Sequence, residues 1–225
     1  MQDDRSDEPT PGAGAPTPPP APVPPPLAPR PGGSGLLGRV TGILTRPAEE
    51  WRVIDGEPGT VGSVIAPYAL VLAAIPPLAM LLGLMLFGGA YASYFFSLVL
   101  QVAIVFYVLN VAVAVALGLA IDALAPNLGG AKNQVQAMKL AVYSSTPLWV
   151  AGLVLLLLTN SPGLFWIWFV VGFAYGAYLL FIGLPILMRV PADKAPGYAG
   201  AAIAAWFVLM LIARFLAGAM VGGPF

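Results

Sequence analysis

Lys, Arg, Asp and Glu in this chain are gathered almost entirely into three clusters, and two long uncharged stretches lie between them, residues 58–121 and 140–188. One helix needs roughly 20 apolar residues to cross the hydrocarbon of a bilayer, so each stretch holds two crossings. Each also contains one weak point where a turn fits, at 88–94 (Gly88, Gly89, Tyr91, Tyr94) and at 159–163 (Thr159, Asn160, Pro162, Gly163). Residues 200–221 form a further apolar stretch. The pattern predicts five membrane-spanning helices, at about 64–87, 95–121, 141–159, 164–188 and 200–221. The fold class is therefore all-α and integral to the membrane.

Ahead of the spans the pattern changes. Leu36, Val40, Ile43, Leu44, Trp51 and Ile54 recur at helical spacing, with Arg39, Arg46, Glu49, Glu50 and Arg52 between them. Pro47 suits the first turn of a helix and not its interior. Two short amphipathic helices are predicted, 36–44 and 47–55, within a segment covering 35–57. They are too polar to span and are expected in the membrane interface, with Trp51 at headgroup level. The alternative is a helix pair packed on the loops. Residues 1–34 open acidic (Asp3, Asp4, Asp7, Glu8) and continue Pro-rich, which predicts a disordered tether. The chain start has no apolar core of the kind a signal peptide carries, so the first span is expected to serve as its own uncleaved signal.

Composition agrees. The 225 residues are 59% hydrophobic and 9% charged, against about 25% charged for soluble domains. Zero formal net charge gives no electrostatic basis for binding nucleic acid. The chain has no Cys and no His, which removes disulfides, thiolate nucleophiles, histidine bases and the usual zinc sites. No cofactor or catalytic motif is implied, and the expectation is a non-enzyme.

The basic residues outside the spans (Arg39, Arg46, Arg52; Lys132, Lys139; Arg189, Lys194) all fall on one side of the predicted topology. The positive-inside rule makes that side cytoplasmic, with the N-terminus inside and the C-terminus outside, as expected for a bacterial inner membrane. Trp51, Arg52, Lys132, Lys139, Arg189 and Lys194 are the candidate interface on that face. Residues 129–142 form an amphipathic connection with Ala131, Val135, Met138 and Val142 on one stripe. Within the spans the polar residues are Gln101, Asn110, Arg214 and the hydroxyl group of Tyr143, Ser144, Ser145 and Thr146 before Pro147. Intramembrane polar groups carry a functional expectation. Gln101 and Arg214 sit at matching depths and can hydrogen-bond across the bundle; snorkelling of Arg214 to lipid phosphate is the other reading. Gln101 and Asn110 lie on opposite helix faces, which favours interhelical bonding over a shared pathway. Pro76-Pro77 predicts a kink in the first span.

Three segments taken in order carry a resemblance. They are Leu44-Thr45-Arg46-Pro47 through Trp51-Arg52-Val53-Ile54; Asp122-Ala123-Leu124-Ala125-Pro126-Asn127 leading into Tyr143-Ser144-Ser145-Thr146-Pro147; and Gly183-Leu184-Pro185 through Arg189-Val190-Pro191. The set resembles the bacterial branch of the Yip-one (Ypt/Rab-interacting protein) domain family, over about residues 40–221. Tyr143-Ser144 followed by Pro147 is similar to the family's Tyr-Gly-Tyr-Ser element without its Gly-Tyr repeat. The resemblance implies five spans and a cytoplasmic N-terminal region. It also implies a membrane-organising or trafficking-type scaffold, since the eukaryotic members associate with Rab-type GTPases. The expected partners are membrane lipid, a protein at the cytoplasmic face and a second copy of the chain. A small-solute or ion transporter is the alternative, because proline-broken helices suit one.

Overall fold

The computed structural model describes residues 35–157 and 163–222. The expectations for the 1–34 tail, for the 159–162 part of the second turn and for the last three residues lie outside the described residues. The described part of the chain is helical, and five of its helices are long and apolar enough to cross a membrane. They are span 1 (Val61–Phe87), span 2 (Tyr91–Leu128), span 3 (Gln134–Leu157), span 4 (Leu164–Leu187) and span 5 (Ala195–Val221). Two shorter helices precede them, α1 (Leu36–Thr45) and α2 (Pro47–Gly56).

Local chemistry explains most element ends. Pro47 occupies the first turn of α2, and Glu49 and Glu50 follow it there, where the helix dipole favours negative charge. Span 1 opens on a capping box between Thr60 and Ser63. Span 2 ends in a tight turn, Ala125–Leu128, closed by Gly129 at φ 80, a conformation glycine adopts without a Cβ clash. The Asn133 side chain caps span 3 by accepting from the Gln136 N–H.

The prolines act differently from a simple kink. Span 1 passes through a π-helical stretch, Ile65–Ala69, breaks at Ala73 and Ala74, and restarts at Ile75. Pro76 and Pro77 therefore fall in the first turn of a new helix, where their missing N–H groups are not needed. Span 3 breaks likewise at Ser145, and Pro147 opens the next segment, Thr146–Ala151. The hydroxyl group thus lies in the middle of span 3 and does not open it. The helix starts at Gln134, so much of the expected 129–142 connection belongs to the span.

Span 3 is the centre of the molecule. Residues 137–149 are all buried, with spans 1, 2 and 4 packed around them; α1 packs on the Thr146–Ala151 segment and α2 on span 4. Close approach to span 4 depends on glycine. A Cβ on Gly172 would lie 2.9 Å from the Leu148 backbone, and one on Gly176 would lie 2.6 Å from the Ser144 carbonyl oxygen. This small-xxx-small spacing lets two backbones touch where lipid supplies no hydrophobic drive. Span 5 packs on spans 2 and 4 through Tyr198, Ala199, Ala202 and Trp206, then leaves Phe215 76% exposed.

α1 and α2 turn one apolar face inward, with Ile43, Trp51 and Ile54 fully buried, while Leu37 and Val53 stay exposed. This corrects the expected headgroup position of Trp51. Its indole fills the space left by Gly183, where a Cβ would meet Trp51 Cε2 at 2.6 Å, and it meets the Tyr143 ring edge-on at 6.4 Å.

Candidate functional site

The end of the bundle that carries α1 and α2, called the cap here, gathers most of the charge among the described residues. Its organising feature is the C-terminus of α2. The last carbonyls of a helix have no partner within it. Lys139 Nζ, reaching from span 3, donates to the carbonyl oxygens of Ile54 at 2.9 Å and Glu57 at 2.6 Å. One turn earlier on span 3, Gln136 Nε2 donates to the Asp55 carbonyl at 3.1 Å and its carboxylate at 3.2 Å. A cation at a helix C-terminus also meets the negative end of the dipole. Lys139 is buried at 3% exposure, which corrects its expected place on a polar outer surface. Its aliphatic stem passes through the core while the ammonium completes α2.

Arg39 organises the other side. It pairs with Glu50 on α2 and with Glu57 beyond it, and its guanidinium lies 5.6 Å from the centre of the Tyr143 ring. Burial works against its charge, but the hydrogen bond and charge of Glu57, followed by the charges of Tyr143 and Glu50, outweigh this and push its pKa up. Arg189, at the end of span 4, pairs with Asp55 at 2.9 Å and donates to the Ile186 carbonyl. The Ala131 N–H donates to the Met188 carbonyl at 2.8 Å, tying the span 2–3 connection to the end of span 4. α1 is held by Tyr175, which donates to the Leu44 carbonyl at 2.8 Å. Arg52, Lys132 and Lys194 remain exposed on the cap. The candidate interface residues therefore divide in two: Trp51 and Lys139 build the cap from within, and the others stand at its surface.

Between α1, the α2–span 1 connection, the first turns of span 1 and span 3 lies a cavity of about 240 Å³. Arg39, Glu57, Ser63, Tyr68, Lys139 and Tyr143 supply its polar lining. Tyr68 bonds Thr146 at 2.8 Å and meets the Tyr143 ring edge-on at 4.7 Å. Below it Ser145 donates to the Ala141 carbonyl at 2.9 Å, while the buried Ser144 hydroxyl has no partner among the described residues. Tyr143, Ser144, Ser145 and Pro147 thus form one buried unit at the break in span 3.

The remaining intramembrane residues do not join this unit. Gln101 donates to the Met220 carbonyl at 3.4 Å and not to Arg214, which is exposed on span 5; the expected Gln101–Arg214 bond is not made. The reason is register: the Met220 carbonyl, near the end of span 5, is what lies across from Gln101. Asn110 donates to the Phe106 carbonyl of its own helix at 3.0 Å, so it does not link helices. Asp122 is buried with one carboxylate oxygen unpartnered, and no group of three potential metal ligands occurs, both among the described residues.

Five apolar spans and a polar cap make this a multi-pass helical membrane protein. The match to the Yip1 domain family model covers residues 41–223, and the chain belongs to that family. Relatives include "Inner membrane protein YohC" of Escherichia coli strain K12, 28% identical over 178 residues, which is 75% of this chain and 88% of the relative. The protein of the same name in E. coli O6:H1 strain CFT073 matches to the same extent. No solved structure matches at a significant level.

Proposed function

We propose that this is a non-enzymatic inner-membrane protein whose cap faces the cytoplasm and binds protein or lipid there, as a membrane-organising scaffold. The supporting observation is the joining of the cap: α1, α2 and the connections between spans 2 and 3 and between spans 4 and 5 are tied by side-chain and backbone bonds into one layer. Such a layer presents Arg52, Lys132 and Lys194 as a fixed basic surface, suited to anionic headgroups or an acidic partner. Among the described residues, the basic residues outside the spans all belong to this end, which supports a cytoplasmic cap, and the relatives' inner-membrane name supports the location. Photo-crosslinkers placed at Arg52, Lys132 and Lys194 in native membranes test the reading. Capture of a discrete protein or lipid species is expected; featureless labelling at all three positions sinks it. A periplasm-active reporter fused after Phe225 is expected to be active, and a cytoplasmic readout there reverses the orientation.

One observation favours a second reading, transport. Spans 1 and 3 are both broken, and the segments beyond the two breaks pack closely: a Cβ on Gly152 would lie 2.5 Å from Pro76. Broken helices line solute paths in many transporters. Flux measured in proteoliposomes decides between the two.

A further inference from the structure

The cap cavity has an occupant chemistry written into its walls. We propose that it binds the headgroup of a zwitterionic aminophospholipid, with the phosphodiester on Lys139 Nζ and the Tyr143 hydroxyl and the ammonium on the Glu57 carboxylate.

Four observations carry this. First, donors are left over. An ammonium has three N–H groups, and Lys139 uses two of them on the Ile54 and Glu57 carbonyls. Tyr143 is 8% exposed and lines the cavity, yet its hydroxyl has no hydrogen-bond partner among the described residues. The oxygen is not sealed off in the core; it opens to the cavity and is free to bond a ligand there. Second, the charges cancel. Arg39 is matched by Glu50 and Glu57, and Lys139 is satisfied by neutral carbonyls, so the four ionised groups sum to zero. A net-neutral ligand keeps that balance, whereas an anionic lipid adds an uncompensated charge to a partly desolvated site. The Glu57 side chain is 39% exposed and remains accessible to a cation.

Third, the depth is right. Span 1 has 27 residues, about 40 Å of helix, against a hydrocarbon core of about 30 Å. Its first turn, with Ser63, therefore lies at headgroup level. From there Pro67, Leu70 and Val71 run along span 1 as exposed apolar surface for acyl chains. Fourth, the size suits a headgroup. About 240 Å³ falls below the roughly 300–1,000 Å³ of pockets for drug-sized molecules.

The inference rests on the proposed placement of the cap at the membrane interface. Its test uses the full chain in detergent, offered equal amounts of phosphatidylethanolamine, phosphatidylglycerol and diacylglycerol, with bound lipid counted by native mass spectrometry. Two variants accompany it. Gly59→Trp grows a side chain into the cavity from a position whose Cβ meets Ser63 Oγ at 3.4 Å and Lys139 Cε at 3.6 Å, ordinary contact distances. Tyr143→Phe removes one hydroxyl and keeps the ring contacts. We expect one phosphatidylethanolamine per chain, retained at least tenfold over diacylglycerol and severalfold over phosphatidylglycerol. Gly59→Trp should lower retention about tenfold at an unchanged unfolding midpoint, and Tyr143→Phe about tenfold, the worth of a hydrogen bond to a charged group. Should Gly59→Trp not fold, Tyr143→Phe carries the test alone. Equal retention of diacylglycerol, preference for phosphatidylglycerol, or wild-type retention in the folded variants overturns the proposal. Displacement of the lipid by millimolar inorganic phosphate also overturns it, by reassigning the cavity to a soluble phosphate. Crosslinking that fails while lipid is retained defeats the scaffold reading only; lost retention with crosslinks intact defeats the lipid site only.

Discussion

Spans 3 and 5 are close in length, 24 and 27 residues, and close in mean hydropathy, 1.8 and 2.1. Yet 67% of the most apolar window of span 3 is buried inside the protein, against 6% for span 5. The more buried helix is the less hydrophobic one. In water that ordering would be surprising; in a bilayer it is natural, because lipid tails solvate leucine as well as protein does. What draws span 3 to the centre is polarity and small neighbours. Its Lys139, Gln136, Thr146 and Ser145 all find partners within the protein, and Gly172 and Gly176 of span 4 let its backbone come close. Span 5 has no comparable set. Its half away from the cap is greasy and bulky, with Phe215 and Met220 exposed and Arg214 exposed among them.

The contrast breaks most sharply at Gly176. A leucine there must displace the Ser144 carbonyl or the Trp206 ring, both 2.6 Å from the new Cβ. Gly176→Leu is expected to cost about 3 kcal/mol or to prevent assembly, read as the midpoint of unfolding in mixed micelles. A wild-type midpoint would mean that span 3 is not held by glycine contact. Next comes Lys139→Met, which keeps the stem and deletes the ammonium. It leaves the Ile54 and Glu57 carbonyls without their donor, for a loss of about 2–3 kcal/mol in the same assay. Protease cleavage between α2 and span 1 should rise with it, and unchanged cleavage would separate Lys139 from the cap. Tyr68→Phe removes a single bond to Thr146 and should cost about 1 kcal/mol. The smallest effect is expected on span 5. Arg214→Leu should shift the midpoint by less than about 0.5 kcal/mol, as for an exposed site; a larger loss would make Arg214 a polar anchor of span 5.

Particular residues show where reading along the chain stops. Five spans follow from the uncharged stretches, since a charge left in hydrocarbon is costly and its absence over 58–121 is conspicuous. The inward turn of Trp51 does not follow, because an indole beside arginines reads equally well as an interfacial anchor, and the space it fills is made by Gly183, more than a hundred residues away. Lys139 was legible as a positive charge on one side of the membrane, but not as the cap of α2, a contact across more than 80 residues. Gly172 and Gly176 stood in the sequence at a spacing that signals helix contact, and that signal was available without any structure. Tyr143 was marked out by its neighbours Ser144, Ser145 and Pro147; the cavity it faces was not.

Residue order alone settled how many times the chain crosses the bilayer and which loops carry the positive charge, since both depend on the cost of moving single groups between water and hydrocarbon. Which crossing became the centre, and which cations turned inward to cap a helix or line a cavity, was resolved only when the helices met. Lipid and protein interiors are alike to an apolar side chain, so hydropathy is silent on that choice, and backbone approach at glycine together with long-range hydrogen bonds makes it instead.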